Sequence, residues 1–360
     1  MYMNLVSFVL AGAVMGSSPV TSSSGRVSEP HLAIRLGLQC SQCHINRTGG
    51  GGRNDFGSLF GQTQLPLRTS AVRARTADQW LTVGGDLRVL ASGTFRESTP
   101  RSAVSIEEAN IQVSARLVPD VLTLYVDESV GAGGAFAREM FALVDVLPAN
   151  GYVKAGKFLL PYGYRLPDDA EYIRSRTGYT YATPDQGVEV GMQSGAMSLA
   201  VAITNGTQGA PEIDDGKQVL GMASFVFPGF RVGASAARNE SDAGRRDVVG
   251  AFGGVRLGRL VGLGEVDLIR DRIGAGDVKQ LAGYVEADLL ARQGINFKAT
   301  YGYLDPNRSI EENGRVRGRV GVEVFPVSSL RVSAFYLMLK DIPQAQTDLD
   351  RWNLEMYVHF

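Results

Sequence analysis

The chain of 360 residues is poor in sulfur and imidazole, with two cysteines, Cys40 and Cys43, and three histidines. That scarcity excludes a disulfide-stapled scaffold and leaves residues 31–44 as the one stretch with Cys and His close together. An excess of charge of one sign is missing as well. The 36 basic and 37 acidic residues are scattered and give a formal net charge of -1, so no nucleic-acid footprint is present. Past residue 20 there is no run of eighteen apolar residues, which excludes a transmembrane helix. A membrane-spanning form must then be a closed β-barrel, the other architecture that satisfies every backbone group in hydrocarbon. No acid-base or nucleophile constellation can be isolated, which argues against a soluble periplasmic enzyme.

The amino terminus carries the apolar run LVSFVLAGAVMG, Leu5 to Gly16, followed by SSPVTSSSG. This reads as the core of a secretory signal over residues 1–22, although MYMN ahead of it has no Lys or Arg. From Trp80 onward the chain alternates. In ANIQVSARL, Ala109, Ile111, Val113, Ala115 and Leu117 are apolar, while Asn110, Gln112, Ser114 and Arg116 are polar. The same period of two recurs in LTLYVD from Leu122 and in RVRGRVGVEVF, where the Val316, Val320, Val322 and Val324 set opposes Arg315, Arg317, Arg319 and Glu323.

Such runs predict about sixteen strands, starting near residues 80, 105, 121, 139, 151, 187, 196, 217, 230, 246, 260, 278, 295, 313, 330 and 350. Tight turns at LVPDVL, LPANGY, QSGAM, FPGF, LGRL, ARQGI and FPVSSL are expected to alternate strictly with longer polar loops such as 163–186, 205–216 and 341–350. An even strand count with that alternation predicts an all-β, antiparallel outer-membrane barrel over residues 80–360 with both termini periplasmic. In the last run, Trp352, Leu354, Met356, Val358 and Phe360 would face lipid, and Asn353, Glu355, Tyr357 and His359 the lumen. The terminal Phe after such alternation resembles a bacterial outer-membrane assembly signal.

The stretch QCSQCHINRTGGGG, Gln39 to Gly52, holds both thiols with His44 directly after them. Cys-x-x-Cys-His is the attachment sequence of a c-type haem, with thioethers from Cys40 and Cys43 and His44 as proximal iron ligand. A loop disulfide, a dithiol pair and a zinc site completed by His31 and His44 stand as alternatives. One motif means one haem. No methionine lies between Met15 and Met140, so His31 is the candidate distal ligand, with His359 and a barrel-wall methionine behind it. Phe56 and Phe60 could pack on the porphyrin, and Arg47 or Arg53 could pair with its carboxylates. Residues 23–64 thus form a haem segment, and residues 65–79 a linker to the barrel.

EPHLAIRLGLQCSQCH followed by NDFGSLF, with Pro30, Gly37, Phe56 and Gly57, resembles the fused monohaem cytochrome-porins of the bacterial outer membrane. The barrel looks like the phosphate-selective porin type in GYVKAGKFLLPYGY and AITNG. One departure is Thr48 and the glycine run, where that family usually has a proline soon after the haem histidine. The resemblance implies a haem in or at the lumen, passing electrons between an extracellular donor or acceptor, ferrous iron among the candidates, and a periplasmic c-type cytochrome or other carrier. The competing expectation is a passive, anion-permeable porin with a haem-bearing plug.

Overall fold

The computed structural model describes residues 29–69, 76–78, 80–95, 101–131, 134–342 and 349–360. The expected signal segment, residues 1–22, lies outside them, as does part of the linker. Two helices come first, α1 (Pro30–Leu36) and α2 (Asp55–Thr63), then a short strand β1 (Thr76–Asp78) that pairs with the start of β2. The wall begins with β2 (Leu81–Thr94), β3 (Ser102–Val118), β4 (Leu122–Gly131), β5 (Gly134–Leu147) and β6 (Gly151–Phe158). After α3 (Tyr172–Ser175) it continues with β7 (Asp185–Ser194), β8 (Met197–Thr204), β9 (Gln218–Phe227), β10 (Phe230–Ser241) and β11 (Gly244–Leu257). It ends with β12 (Leu260–Ile273), β13 (Gly276–Arg292), β14 (Ile295–Asp305), β15 (Gly314–Val327), β16 (Leu330–Ile342) and β17 (Leu349–His359).

Each strand from β2 to β17 pairs antiparallel with its neighbours in sequence, and β17 pairs with β2 from Arg351↔Thr94 to His359↔Asp86. The sheet is therefore a closed sixteen-stranded antiparallel barrel, and closure leaves no unpaired edge. The strand starts agree with the alternation in the sequence, the largest shift being β5, which begins at Gly134 rather than near 139 because its pairing with β4 reaches Gly131.

The period-two pattern is inverted relative to a soluble protein. Leu199, Val201 and Ile203 of β8 point outward and are exposed, while Ala200, Ala202 and Thr204 are buried. Likewise Leu354, Met356 and Val358 face out, and Glu355, Tyr357 and His359 face in. An apolar outer belt around a polar interior is a wall built for lipid.

Two expectations about the loops need correction. Strict alternation of loop length fails, because Ser241–Gly244 and Ile273–Gly276 are as tight as the turns at the opposite end. There the ladders of β10–β13 simply continue outward and use up what would have been loop. Of residues 163–186, expected as a polar external loop, the last two begin β7, and residues 159–184 fold into the lumen instead. Their Tyr162, Tyr164, Leu166, Ile173 and Tyr181 are almost fully buried. Tyr162 Oη donates to Asp267 at 2.8 Å, and Arg317 Nη2 donates to Asp168 at 2.6 Å, so wall side chains hold the loop inside.

Candidate functional site

The segment 29–68 is a cork across the short-turn end of the barrel. Glu29 takes hydrogen bonds from Lys298 (2.7 Å) on β14 and Arg331 (2.8 Å) on β16. Arg256 at the end of β11 donates to the Arg35 carbonyl at 3.0 Å, and Gln39 reaches the Gly195 carbonyl in the β7–β8 turn at 2.9 Å. Asn46 lies fully buried between Glu139 (2.6 Å) on β5 and Lys154 (2.9 Å) on β6. Asp55 pairs with Arg116 of β3 at 2.6 Å, and the Leu67 N–H donates to Phe325 of β15 at 2.8 Å. These contacts run round most of the circumference, and the expected linker is itself docked on the wall at Leu67 and Arg68.

Within the cork, two glycines set the geometry. α1 starts at Pro30, which suits a first helical position, and ends at Gly37, whose left-handed φ of 68° closes the helix while its α-carbon lies against Pro228 of the wall. A short 3-10 turn over Cys40–Gln42 follows, and the chain returns on itself so that His44 bridges Arg53. α2 is capped by the Asn54 side chain, which accepts from the Gly57 N–H at 2.9 Å. It then sits directly on the cysteine turn: a Cβ at Gly57 would lie 2.1 Å from the Cys43 carbonyl oxygen.

Cys40, Cys43 and His44 line a single cavity that opens to solvent. Its walls are mostly apolar: Leu32, Ala33, Leu36 and Leu38 from α1 and the residues after it, and Phe60 and Leu65 from the α2 side. Arg53, Arg165 and Arg231 supply positive charge, and the Arg53 Nη1 atom is buried without a hydrogen-bond partner among the described residues. Both cysteines are free thiols. Burial first, and then the neighbouring Cys40, push the Cys43 thiol up to about 11. His44 also lines a wider vestibule opening at the short-turn end beside Asp120 and Asn150.

His31 does not line this cavity. On α1, Leu32, Ala33 and Leu36 line the cavity, and His31 is turned about 150° from their mean direction at ~100° per residue, lining instead a neighbouring pocket that shares Leu32 and Leu36. Its Nδ1 sits 3.3 Å from Glu29 and 3.5 Å from Asp288, against the wall. Burial opposes charge there, but Asp288 and Glu29 outweigh it and raise the imidazole above its ordinary value. His31, Glu286 and Asp288 come within 4.8 Å of one another, as cation ligands would, yet Lys298 Nζ lies 3.8 and 3.7 Å from the two carboxylates and already supplies a positive charge. With His31 held there, a zinc set of Cys40, Cys43, His44 and His31 is not brought together.

His359 faces the lumen as its alternation predicts and lies beside Gly61 of α2. Phe60 enters the cavity, whereas Phe56 stacks on it at 6.3 Å from the vestibule side. Arg53 lines the cavity, and Arg47 is engaged elsewhere by Asp145 at 2.7 Å. Four lining residues, Gly163, Tyr164, Arg165 and Arg231, come from the inner loop and β10, more than 100 residues from the motif. LLPYGYRLP carries the one hint, an aromatic and apolar density unusual for an exposed loop.

No family model matches the chain, and no curated protein matches it. Solved structures do. OmpT, an outer-membrane protein of Vibrio cholerae, superposes with a TM-score of 0.61 at 14% identity, covering 80% of this chain and 100% of its own. The anion-selective porin of Comamonas acidovorans gives 0.62 at 11% identity, over 78% of this chain and 99% of that one. The outer-membrane channel DcaP of Acinetobacter baumannii gives 0.58 at 10%, over 78% and 97%. At these identities the likeness is one of fold, and the fold is that of the outer-membrane porins.

Proposed function

We propose that this chain is a porin-type outer-membrane barrel whose cork carries one covalent c-type haem and passes electrons between the two sides of the membrane. The observation that carries the reading is the convergence of Cys40, Cys43 and His44 on one apolar cavity within a segment that spans the barrel. The residues fit the group: two free thiols for the thioethers, an imidazole for the iron, an unpartnered buried guanidinium nitrogen at Arg53 for a porphyrin carboxylate, and apolar walls that exclude water. When bound, such a haem supplies a one-electron couple. The chain's own part is to hold it, and to leave His44 bordering the vestibule, where a periplasmic carrier could approach. An extracellular donor or acceptor, ferrous iron among the candidates, would act from the opposite mouth.

A second reading is passive anion passage. The fold likeness to porins supports it, and Arg88, Lys298, Arg319 and Arg331 line a lumen cavity. The same cavity holds Asp168, Glu286, Glu323 and Glu355, four acids against four bases, so the local field has no net sign. Liposomes separate the readings. External reductant should reduce a trapped soluble cytochrome through haem-loaded protein under the first, and small anions should leak under the second. Anion leak without electron transfer would remove the first.

A further inference from the structure

Among the described residues lining the cavity, most polar side chains are already committed. Cys40, Cys43 and His44 are assigned by the haem reading, on which this inference rests. The Glu29 carboxylate accepts from Lys298 and Arg331 at 2.7 and 2.8 Å. Gln39 donates to the wall, and Thr48 Oγ1 donates to Asn46 at 3.0 Å. Guanidinium groups have no lone pair to offer iron. Tyr164 is different. Its side chain is almost fully buried, it lines the cavity, and its hydroxyl has no hydrogen-bond partner among the described residues.

An unpaired hydroxyl in an apolar site costs free energy, so its persistence points to a partner that arrives with the ligand. The Tyr164 ring is fixed: Phe252 lies 5.0 Å away, and the Arg231 guanidinium carbon is 5.6 Å from the ring centre. The two terminal nitrogens of Arg231 also lie 3.8 Å from Cys40 Sγ. One cation thus borders both the thiol that would anchor the porphyrin and the phenol. No methionine and no second histidine lines the cavity among the described residues.

We propose that the Tyr164 hydroxyl, delivered by the inward loop, faces the second axial position of the haem iron, with Arg231 holding the ring. The iron then has an oxygen group rather than nitrogen or sulfur on that side. This replaces His31 as the residue of the distal position. It also means that the loop must be folded into the lumen for the site to be complete.

The test uses full-length, haem-loaded protein in detergent, followed by absorption and electron paramagnetic resonance. Ferric wild type should give a high-spin or oxygen-ligated signal. Tyr164→Phe, which keeps the packing on Phe252, should alter that signal and raise the affinity for added imidazole about tenfold. His31→Gln should leave both readouts unchanged. A low-spin spectrum indifferent to Tyr164→Phe, or one lost in His31→Gln, overturns the assignment while leaving the haem reading intact. A mature protein without covalent haem overturns both.

Discussion

Asn46→Ala tests the docking of the cork most sharply. The Asn46 side chain is fully buried; it donates to Glu139 at 2.6 Å and accepts from Lys154 at 2.9 Å. Hydrogen bonds to charged groups contribute roughly 1.5–3 kcal/mol each, so losing both weakens the docked state by about 3–6 kcal/mol. Both charges keep one partner, Lys154 with Glu189 at 2.9 Å and Glu139 with the Leu159 N–H at 3.0 Å, so the lower half of that range applies. About 3 kcal/mol is on the order of a hundredfold in the docking equilibrium. The backbone ladders between strands β2–β17 do not involve Asn46, so the barrel itself should survive. In planar bilayers the variant should show more frequent openings than wild type, and protease should release the amino-terminal segment faster. Unchanged conductance and unchanged protease resistance, with the substitution verified, would refute the view that residues 44–53 anchor a cork.

Gly57→Ala places a Cβ 2.1 Å from the Cys43 carbonyl oxygen, where real contacts do not fall below 3.0 Å, so α2 must retreat by about 1 Å. Overpacking of this kind costs about 1–3 kcal/mol, and covalent haem yield should fall while the heat-modifiable mobility of the barrel stays the same. In haem-free protein the Cys43 thiol, pushed up to about 11 chiefly by burial, should alkylate slowly at pH 7, and its rate should rise about tenfold per unit up to that value. A rate that levels off near pH 8 would contradict the burial. For Asp168, burial favours the neutral form, but Arg317 and Arg319 outweigh it and hold the carboxyl at about 2, against 3.8 in a free chain. The folded value is depressed, so its contribution is present above pH 3.8 and is lost as pH falls toward 2. Proteolysis within residues 159–184 by an acid-active protease should increase across that window, and Asp168→Asn should show the increased cleavage already at neutral pH.

The wall was legible because alternation has only two faces: once Leu354 faces lipid, Glu355 and His359 must face the lumen, and they do. The Cys-x-x-Cys-His run was legible because its residues are local, and the haem it would carry is the proposal made above. What escaped the sequence is tertiary. Nine residues separate His31 from Cys40, but Glu29 and Asp288 hold the imidazole in a neighbouring pocket, outside the lining of the cavity. Residues 163–186 carry enough charge to pass for an external loop, and distant wall contacts, such as Arg317 with Asp168 and Glu171 and Glu265 with the Tyr164 N–H, draw the segment inward. Tyr164 and Arg231 reach the site through that fold and through the register of β10, neither of which leaves a periodic trace.

Mass spectrometry of the Cys40–His44 peptide, from protein extracted out of outer membranes of a host that assembles c-type cytochromes, bears most directly on the central claim. One haem per chain, attached through both thiols, is the predicted result. Unmodified thiols at full yield in such a host would contradict it and leave a corked barrel without a redox centre.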